Sequence, residues 1–589
     1  MKSRNTTAAL ALAAALTLGA TACGSSSNAD LKLGSASGIG IAADATKDAA
    51  LTTIVSPSTT KGGTVTMEGA EAPDSLDPGN TYYAWVQNLS RLYARTLIAF
   101  KPVPGKDGLT VVPDLATSLG KASPDAKTWT YHIRPGLKYE DGEPITTKDV
   151  KYAIERSNFA PDVLSNGPTY FKSYLEGGDQ YQGPYKDKSP NGIASIETPN
   201  DTTIVFHLAK PFADFDYLAT FSQTAPVPQA KDDGAGYVRH IMSSGPYKFA
   251  SYTDGVSADL VRNPQWVQAT DPIRKALPNE ITIKFKVDPN TIDNNLLTGK
   301  DTVNVAGAMQ PDNQALALTP KYINNTDASY ASTTSYLAIN PNVAPFDNAD
   351  CRKAIEYAID KVAVRNAGGL VTGDVASTLL PPTVNGYTKF DDYPTPGNQG
   401  DAATAKAELT ACGKPDGFTA NLTARSDQPT EMAEATAIQA SLKQIGITAT
   451  LKTFPSSTYL SDYVGVPSYV HEHQLGLMMT EWGADWPTGY GFLDQIADGG
   501  AIKPSGGNNL QELNDPAINQ ALANAISNTD AAARTKAWGD IDKMVLDTAT
   551  VVPLVYPKNL FFRPNSATNV TVTQAYFGMY NYALLSSYK

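Results

Sequence analysis

The residues best able to do chemistry lie late in this chain, where His471-Glu472-His473 is followed by Gly476-Leu477-Met478-Met479-Thr480-Glu481-Trp482-Gly483-Ala484-Asp485-Trp486-Pro487. Two imidazoles at a period of two share one face of a strand and suit a transition metal. No third ligand stands at zinc-like spacing and the chain has 5 His in all, so solvated loop residues are the plainer reading and no metal is expected. Trp482, Trp486 and Tyr490 offer aromatic faces that suit apolar side chains or sugar rings, and that equally suit ordinary packing. The patterns G-x-S-x-G, G-x-x-x-x-G-K-[ST], H-E-x-x-H and a strand followed by G-x-G-x-x-G are not found. The chemistry on offer is therefore binding, with no enzyme activity and no cofactor expected.

These residues need a scaffold, and the clearest part of it runs from Trp129 to Ala153. Trp129, Tyr131 and Ile133 alternate with polar neighbours, the period of a half-buried strand, and Arg134-Pro135-Gly136 and Asp141-Gly142 then turn the chain. Thr146 or Thr147 caps a helix starting at Lys148-Asp149, with Val150, Ala153 and Ile154 on one face. Further strands are expected at Thr203 to Leu208 and Thr448 to Lys452. Helices are expected from Asn88 to Phe100, Ala402 to Thr410 and Glu431 to Ile445. Gly, Pro, Tyr and Asp enrich the stretch from Asn158 to Asn200, which reads as exposed loops on a small subdomain. Strands alternating with helices in the second half argue an α/β lobe.

With 589 residues the chain exceeds what one hydrophobic core usually holds, so lobes are expected. A formal charge of −12, without clustered Lys and Arg, speaks against a nucleic-acid partner. Residues 1–22 read as a signal peptide: Lys2 and Arg4 begin it, Ala8 to Leu18 is apolar, and Ala20-Thr21-Ala22 forms a small-residue cleavage zone. Cys23 follows directly, so lipidation there and plain cleavage after Ala22 both fit. Residues 23–60 are rich in Ser, Ala, Gly and Thr and read as a flexible tether with an r.m.s. reach of roughly 35 Å. Cys351 and Cys412 are an even pair in an oxidising compartment, which allows a disulfide worth roughly 3–4 kcal/mol or two buried thiols.

The order of residues from Trp129 to Val150, with an R-x-G turn, a D-G turn and T-x-x-D-V at the helix start, resembles the signature of the family 5 solute-binding proteins of ABC transporters. The best-known members of that family bind oligopeptides and dipeptides. Leu76-Asp77-Pro78, Val112-Pro113-Asp114-Leu115-Ala116, Ser244-Gly245-Pro246-Tyr247, Arg262-Asn263-Pro264-Gln265-Trp266 and Arg352-Lys353-Ala354-Ile355 resemble further family motifs in the right order. Directly before the last of these, Cys351 stands where Val is usual. Position 20 is Ala, where the family's lipid-attachment motif prefers Leu.

The resemblance implies an α/β, two-lobed periplasmic-binding-protein-like fold of the class II or cluster C type, with an extra small subdomain in the N-terminal lobe. It implies an N-terminal lobe over 61–334 with its subdomain at about 98–200, a second lobe over 335–552, and a return over 553–589. Hinges would lie near Ser335–Asn340 and Ala549–Tyr556. Trp482-Gly483-Ala484-Asp485 resembles the family's ligand-facing strand, which implies that Asp485 meets a ligand's α-ammonium. A structural turn is the other reading of Asp485. Backbone groups of Glu481 and Gly483 would pair with an extended peptide, and Tyr82, Tyr83 and Ala84 would meet it from the opposite side, unless the two tyrosines are core aromatics. Trp482 and Trp486 would line the same place. Met479 stands where some members carry an Arg for ligand carboxylates.

The implied function is the extracytoplasmic substrate-binding component of an importer. The protein would be a monomer tethered to the membrane by a lipid on Cys23, handing peptides to permease subunits served by separate ATPase subunits. An oligosaccharide or metal-chelate receptor on the same scaffold is the alternative, and an extracellular hydrolase a more distant one.

Overall fold

The computed structural model describes residues 46–587 except Lys188, Pro190 and Ala306. The expected signal peptide, Cys23 and most of the tether lie outside the described residues. The tether does not extend to residue 60. Ala50 is fully buried, Asp48 N donates 2.8 Å to Thr326 O, and Val55 bridges to Val570, so the chain joins the body earlier than its polar composition suggests.

The N-terminal lobe is built on a five-stranded mixed sheet. In spatial order its strands are Val303–Val305, Thr64–Gly69, Glu280–Lys284, Ser257–Arg262 and Tyr247–Thr253. Thr64–Gly69 runs parallel to both of its neighbours, whereas Ser257–Arg262 is antiparallel to both of its own. The family-like motifs at the sheet's edge clasp each other: Asn263 N donates to Pro246 O at 2.8 Å and Asn263 Nδ2 to Gly245 O at 2.9 Å.

The alternation of Trp129, Tyr131 and Ile133 produces the strand Thr128–His132, the second strand of a four-stranded antiparallel sheet. Trp129 and Tyr131 face a core shared with Phe206 and Phe215. The helix Thr147–Phe159 starts where the sequence indicates: the Asp149 carboxylate accepts from Thr146 N at 2.7 Å and from Thr146 Oγ1 at 3.0 Å.

In the second lobe a six-stranded sheet runs, in spatial order, Asp374–Val375, Val551–Tyr556, Thr333–Ile339, Leu477–Gly483, Thr419–Arg425 and Thr448–Phe454. Its central strands carry apolar residues on both faces, as expected for a sheet covered twice. Leu337, Ile339, Leu477 and Met479 pack on one side against the helices Ala349–Ala358, Ala402–Ala411 and Pro429–Lys443. Tyr336, Ala338 and Met478 pack on the other against Gly489–Ala497 and Ala531–Asp547. Cys351 and Cys412 are joined by a disulfide, with their Cα atoms 5.3 Å apart.

The chain crosses between lobes at Ala331-Ser332 and at Pro557, and the two crossings touch, Ala331 N donating to Pro557 O at 2.8 Å. This moves the expected hinges. Ser335 and Tyr336 pair with Val555 and Pro553 inside the second-lobe sheet, so Pro553–Tyr556 belongs to that sheet and not to the return segment. Beyond Pro557 the strand Lys558–Phe562 pairs with Thr326–Tyr330.

Candidate functional site

One wall of the site is the loop after the strand Thr64–Gly69, and two aspartates organise it. Asp77 is buried and accepts from Gly79 N at 2.9 Å and from Arg156 Nη1 at 2.8 Å. Arg156 sits on the helix Thr147–Phe159 and also reaches Asp232 at 3.0 Å, so this loop is pinned to the helix. Asp74 accepts from Thr81 Oγ1 at 2.6 Å and from Tyr82 N at 2.8 Å. The loop thus presents Tyr82 and Tyr83 outward, 50% and 45% exposed, which excludes the core-aromatic reading.

The other wall is the strand Leu477–Gly483 and the loop after it. The Met479 carbonyl accepts from Tyr459 Oη at 2.8 Å on the side away from Thr333–Ile339. Backbone groups alternate along a strand, so those of Glu481 and Gly483 face the same side. Thr419–Arg425 pairs there only as far as Thr423 with Met478, which leaves this edge unpaired beyond it among the described residues. Gly483 is required by close approach: a Cβ would stand 2.9 Å from Thr333 Cγ2 and 3.0 Å from Phe577 Cε1. The Glu481 side chain is turned to the sheet, accepting from Thr333 Oγ1 at 2.6 Å.

Between the walls lies a cavity of about 620 Å³, within the usual range for small-ligand sites. Tyr82, Tyr170, Trp482, Asp485, Asp494 and Lys503 are among its lining residues. Tyr82 Oη donates to Asp485 Oδ1 at 2.7 Å, and the Tyr170 hydroxyl also bonds this carboxylate. Burial pushes the Asp485 carboxyl above its ordinary range, and the Tyr170 and Tyr82 hydroxyls offset only part of that rise. Burial also raises Asp494, against the Tyr490 hydroxyl and the Gln495 amide.

Residues 110–504 match the family model described as bacterial extracellular solute-binding proteins, family 5 Middle. The chain belongs to this family. It is 27% identical over 498 residues to the probable D,D-dipeptide-binding periplasmic protein DdpA of Escherichia coli, with 83% of this chain and 87% of the relative covered. It is 26% identical over 546 residues to heme-binding protein A of Haemophilus influenzae, covering 86% and 89%. Among solved structures, clavulanic acid biosynthesis oligopeptide binding protein 2 superposes with a TM-score of 0.87 at 41% identity, over 92% of this chain and 99% of that one. The two-lobed fold is thus shared with other solute-binding proteins.

Six of the residues singled out in this family 5 protein fall on two cavities, whereas Glu481 and Gly483 line neither of them. Tyr82, Trp482, Asp485 and Trp486 line the larger one. Tyr83 and Ala84 line a separate, more apolar cavity of about 280 Å³ with Trp85, Phe561, Phe577 and Met579. Trp486 is 4% exposed and holds the lobes together, its ring 5.3 Å from Tyr170 and its Nε1 3.4 Å from Asp214 Oδ2. Trp482 donates through Nε1 to Phe492 O at 2.8 Å.

Tyr170, Asp494 and Lys503 were not singled out in the sequence. Tyr170 lies in the stretch expected to form exposed loops but begins the helix Tyr170–Tyr174, and no local pattern marked it. His471 and His473 do not share a strand. Pro467 opens the helix Pro467–His473, where His471 Nε2 lies 2.9 Å from Glu512 and the His473 ring packs on Tyr469. Among the described residues no group of three metal-ligating side chains occurs.

Proposed function

We propose that this family 5 protein captures short peptides between its lobes by pairing their N-terminal ammonium with Asp485. One observation carries the reading. Asp485 is enclosed by two lobes and is met by the neutral hydroxyls of Tyr82 and Tyr170, while no Lys or Arg nitrogen lies within 4.0 Å of it among the described residues. A carboxylate withdrawn from water without a counter-ion favours a cationic ligand, and a peptide ammonium can replace the water that closure removes. The unpaired edge at Glu481 and Gly483 supports it, because an extended peptide can add there as a strand. The relative named for D,D-dipeptides and the structure named for oligopeptides support the same ligand class.

On this reading the protein is an extracytoplasmic monomer that delivers its ligand to membrane permease subunits, with ATP hydrolysed on separate polypeptides. Cys23 carries the lipid that holds it to the outer face of the membrane. Replacing Cys23 with Ser should release the protein from the membrane fraction, and an unchanged distribution would refute the anchor. The ligand class is tested by native mass spectrometry of protein purified from its own cells. Copurified peptides are the expected result, and oligosaccharides or chelates found in their place would overturn it.

A further inference from the structure

A third cavity, of about 410 Å³, lies beside the crossings between the lobes and shares no lining residue with the cavity that holds Asp485. Tyr330 and Lys558, paired across the strands that flank the crossings, line it from the N-terminal lobe. Arg365, in the last turn of the helix Lys361–Ala367, and the loop from Gly369 to Gly373 line it from the second lobe. Its charged lining residues are Lys47, Arg365 and Lys558 against Asp48 alone, a local surplus of cations in a chain whose formal charge is −12.

Three of these charges have partners. Lys558 Nζ lies 2.9 Å from the Asp374 carboxylate, which also accepts from the Tyr330 hydroxyl. Asp48 accepts from Ala328 N at 2.7 Å and lies 3.9 Å from Lys47 Nζ. Arg365 is left over. It bonds the Asn366 side chain through Nε at 3.2 Å and Nη2 at 2.9 Å, and no carboxylate oxygen lies within 4.0 Å of it among the described residues. Its Nη1 has no hydrogen-bond partner among those residues, and a guanidinium is well shaped to take an oxyanion. Leu318, Leu370, Val371 and Leu560 give the same cavity an apolar wall, and Leu370 is 66% exposed. One unmatched cation among aliphatic walls is complementary to an organic monoanion: the oxyanion replaces water on Arg365, and a hydrocarbon body covers the leucines.

We propose that this cavity is a second ligand site, separate from the cleft around Asp485, which takes a small organic carboxylate with an aliphatic body and holds its head on Arg365. The site needs no peptide in the cleft, so it stands independently of the function proposed above. Its volume of about 410 Å³ is that of a small-molecule site, which favours a free acid over a lipid held in a bilayer.

The test is calorimetry on the purified protein with three probes: sodium hexanoate, hexan-1-ol and sodium acetate. Hexanoate should bind at least about tenfold more tightly than hexan-1-ol, which lacks the charge, and than acetate, which lacks the body. Arg365→Met should bind hexanoate no better than hexan-1-ol and should melt at the wild-type temperature, because the guanidinium hydrogen-bonds only its neighbour Asn366 among the described residues. Leu370→Glu alters a side chain already in water and sets a like charge on the cavity, so it too should lose hexanoate, and it decides the matter if Arg365→Met does not fold. Wild-type affinity for hexanoate in either folded variant overturns the site. Equal binding of hexanoate and hexan-1-ol by the wild type overturns the role of Arg365, and equal binding of hexanoate and acetate overturns the aliphatic body. Binding to phosphatidylglycerol vesicles without binding of free hexanoate puts a lipid surface in place of the free acid and overturns the proposal, as does no binding at all.

Discussion

The hydroxyl of Tyr82 donates 2.7 Å to the carboxylate of Asp485, two residues 403 positions apart that stand on opposite walls of the cleft. The N-terminal lobe therefore solvates the anion that the second lobe carries, and closure and ligand capture share one group. Because burial raises the Asp485 carboxyl, its ionised form is lost at a higher pH than for a free aspartate. As the pH is lowered, peptide affinity should thus begin to fall at a higher pH than a free aspartate would give. Tyr82→Phe removes a bond that stabilises the carboxylate, so the midpoint of that fall should move up in pH and affinity at neutral pH should drop roughly two- to tenfold. Calorimetry across pH checks this, and an unmoved midpoint would count against the role given to Tyr82.

A second contact between the lobes sets how firmly the cleft stays shut. Asp214 is buried and accepts from Arg534 Nε at 2.8 Å and from Thr488 Oγ1 at 2.6 Å. Arg534→Met leaves a buried carboxylate without its cation, a change that typically costs about 3–5 kcal/mol. The ligand-free variant should open, seen as a larger radius of gyration in solution scattering, and should melt at a lower temperature. A variant as compact and as heat-stable as the wild type would reject the clasp.

Stability against pH should carry the mark of Glu356. It is buried, both carboxylate oxygens lack a hydrogen-bond partner among the described residues, and burial pushes its pKa from 4.5 up to about 8 against the pull of Lys361. A folded-state pKa above the unfolded value means that the native state holds the extra proton, so this group's contribution is intact below about pH 4.5 and fades as pH rises toward 8. Glu356→Gln mimics the protonated form and should gain stability over the wild type as pH rises through that window. Urea unfolding at several pH values measures it, and a difference that stays constant with pH would exclude Glu356 as the cause.

Much of the scaffold was legible because local periodicity and tertiary demand agree. Trp129, Tyr131 and Ile133 alternate and face a core, and Thr146 with Asp149 caps a helix with its own side chains. The helix expected from Asn88 to Phe100 shows where they part. The helix is Ala84–Ser90, and the chain then turns so that Arg95 can reach Asp114 at 2.8 Å before Ile98–Phe100 becomes a strand. A buried ion pair with a distant partner leaves no periodic trace. The hinges were missed by a few residues for a similar reason, since Thr333 and Tyr556 read as strand whichever lobe they pair with. Asp485 could be found from its neighbours in the chain, whereas Tyr170 and Lys503 come to line the same cavity only through the fold.

The central claim is that Asp485 holds a peptide ammonium, and the most direct measurement is calorimetry on four combinations: wild type and Asp485→Ala, each with a peptide that the wild type binds and with its N-acetyl form. Each single change should weaken binding at least tenfold, since a hydrogen bond to a charged group is worth roughly 1.5–3 kcal/mol and an orphaned ammonium adds to the cost. The two changes together should cost little more than either alone, because both remove the same pair. Additive losses, or equal binding of free and acetylated peptide by the wild type, would contradict it.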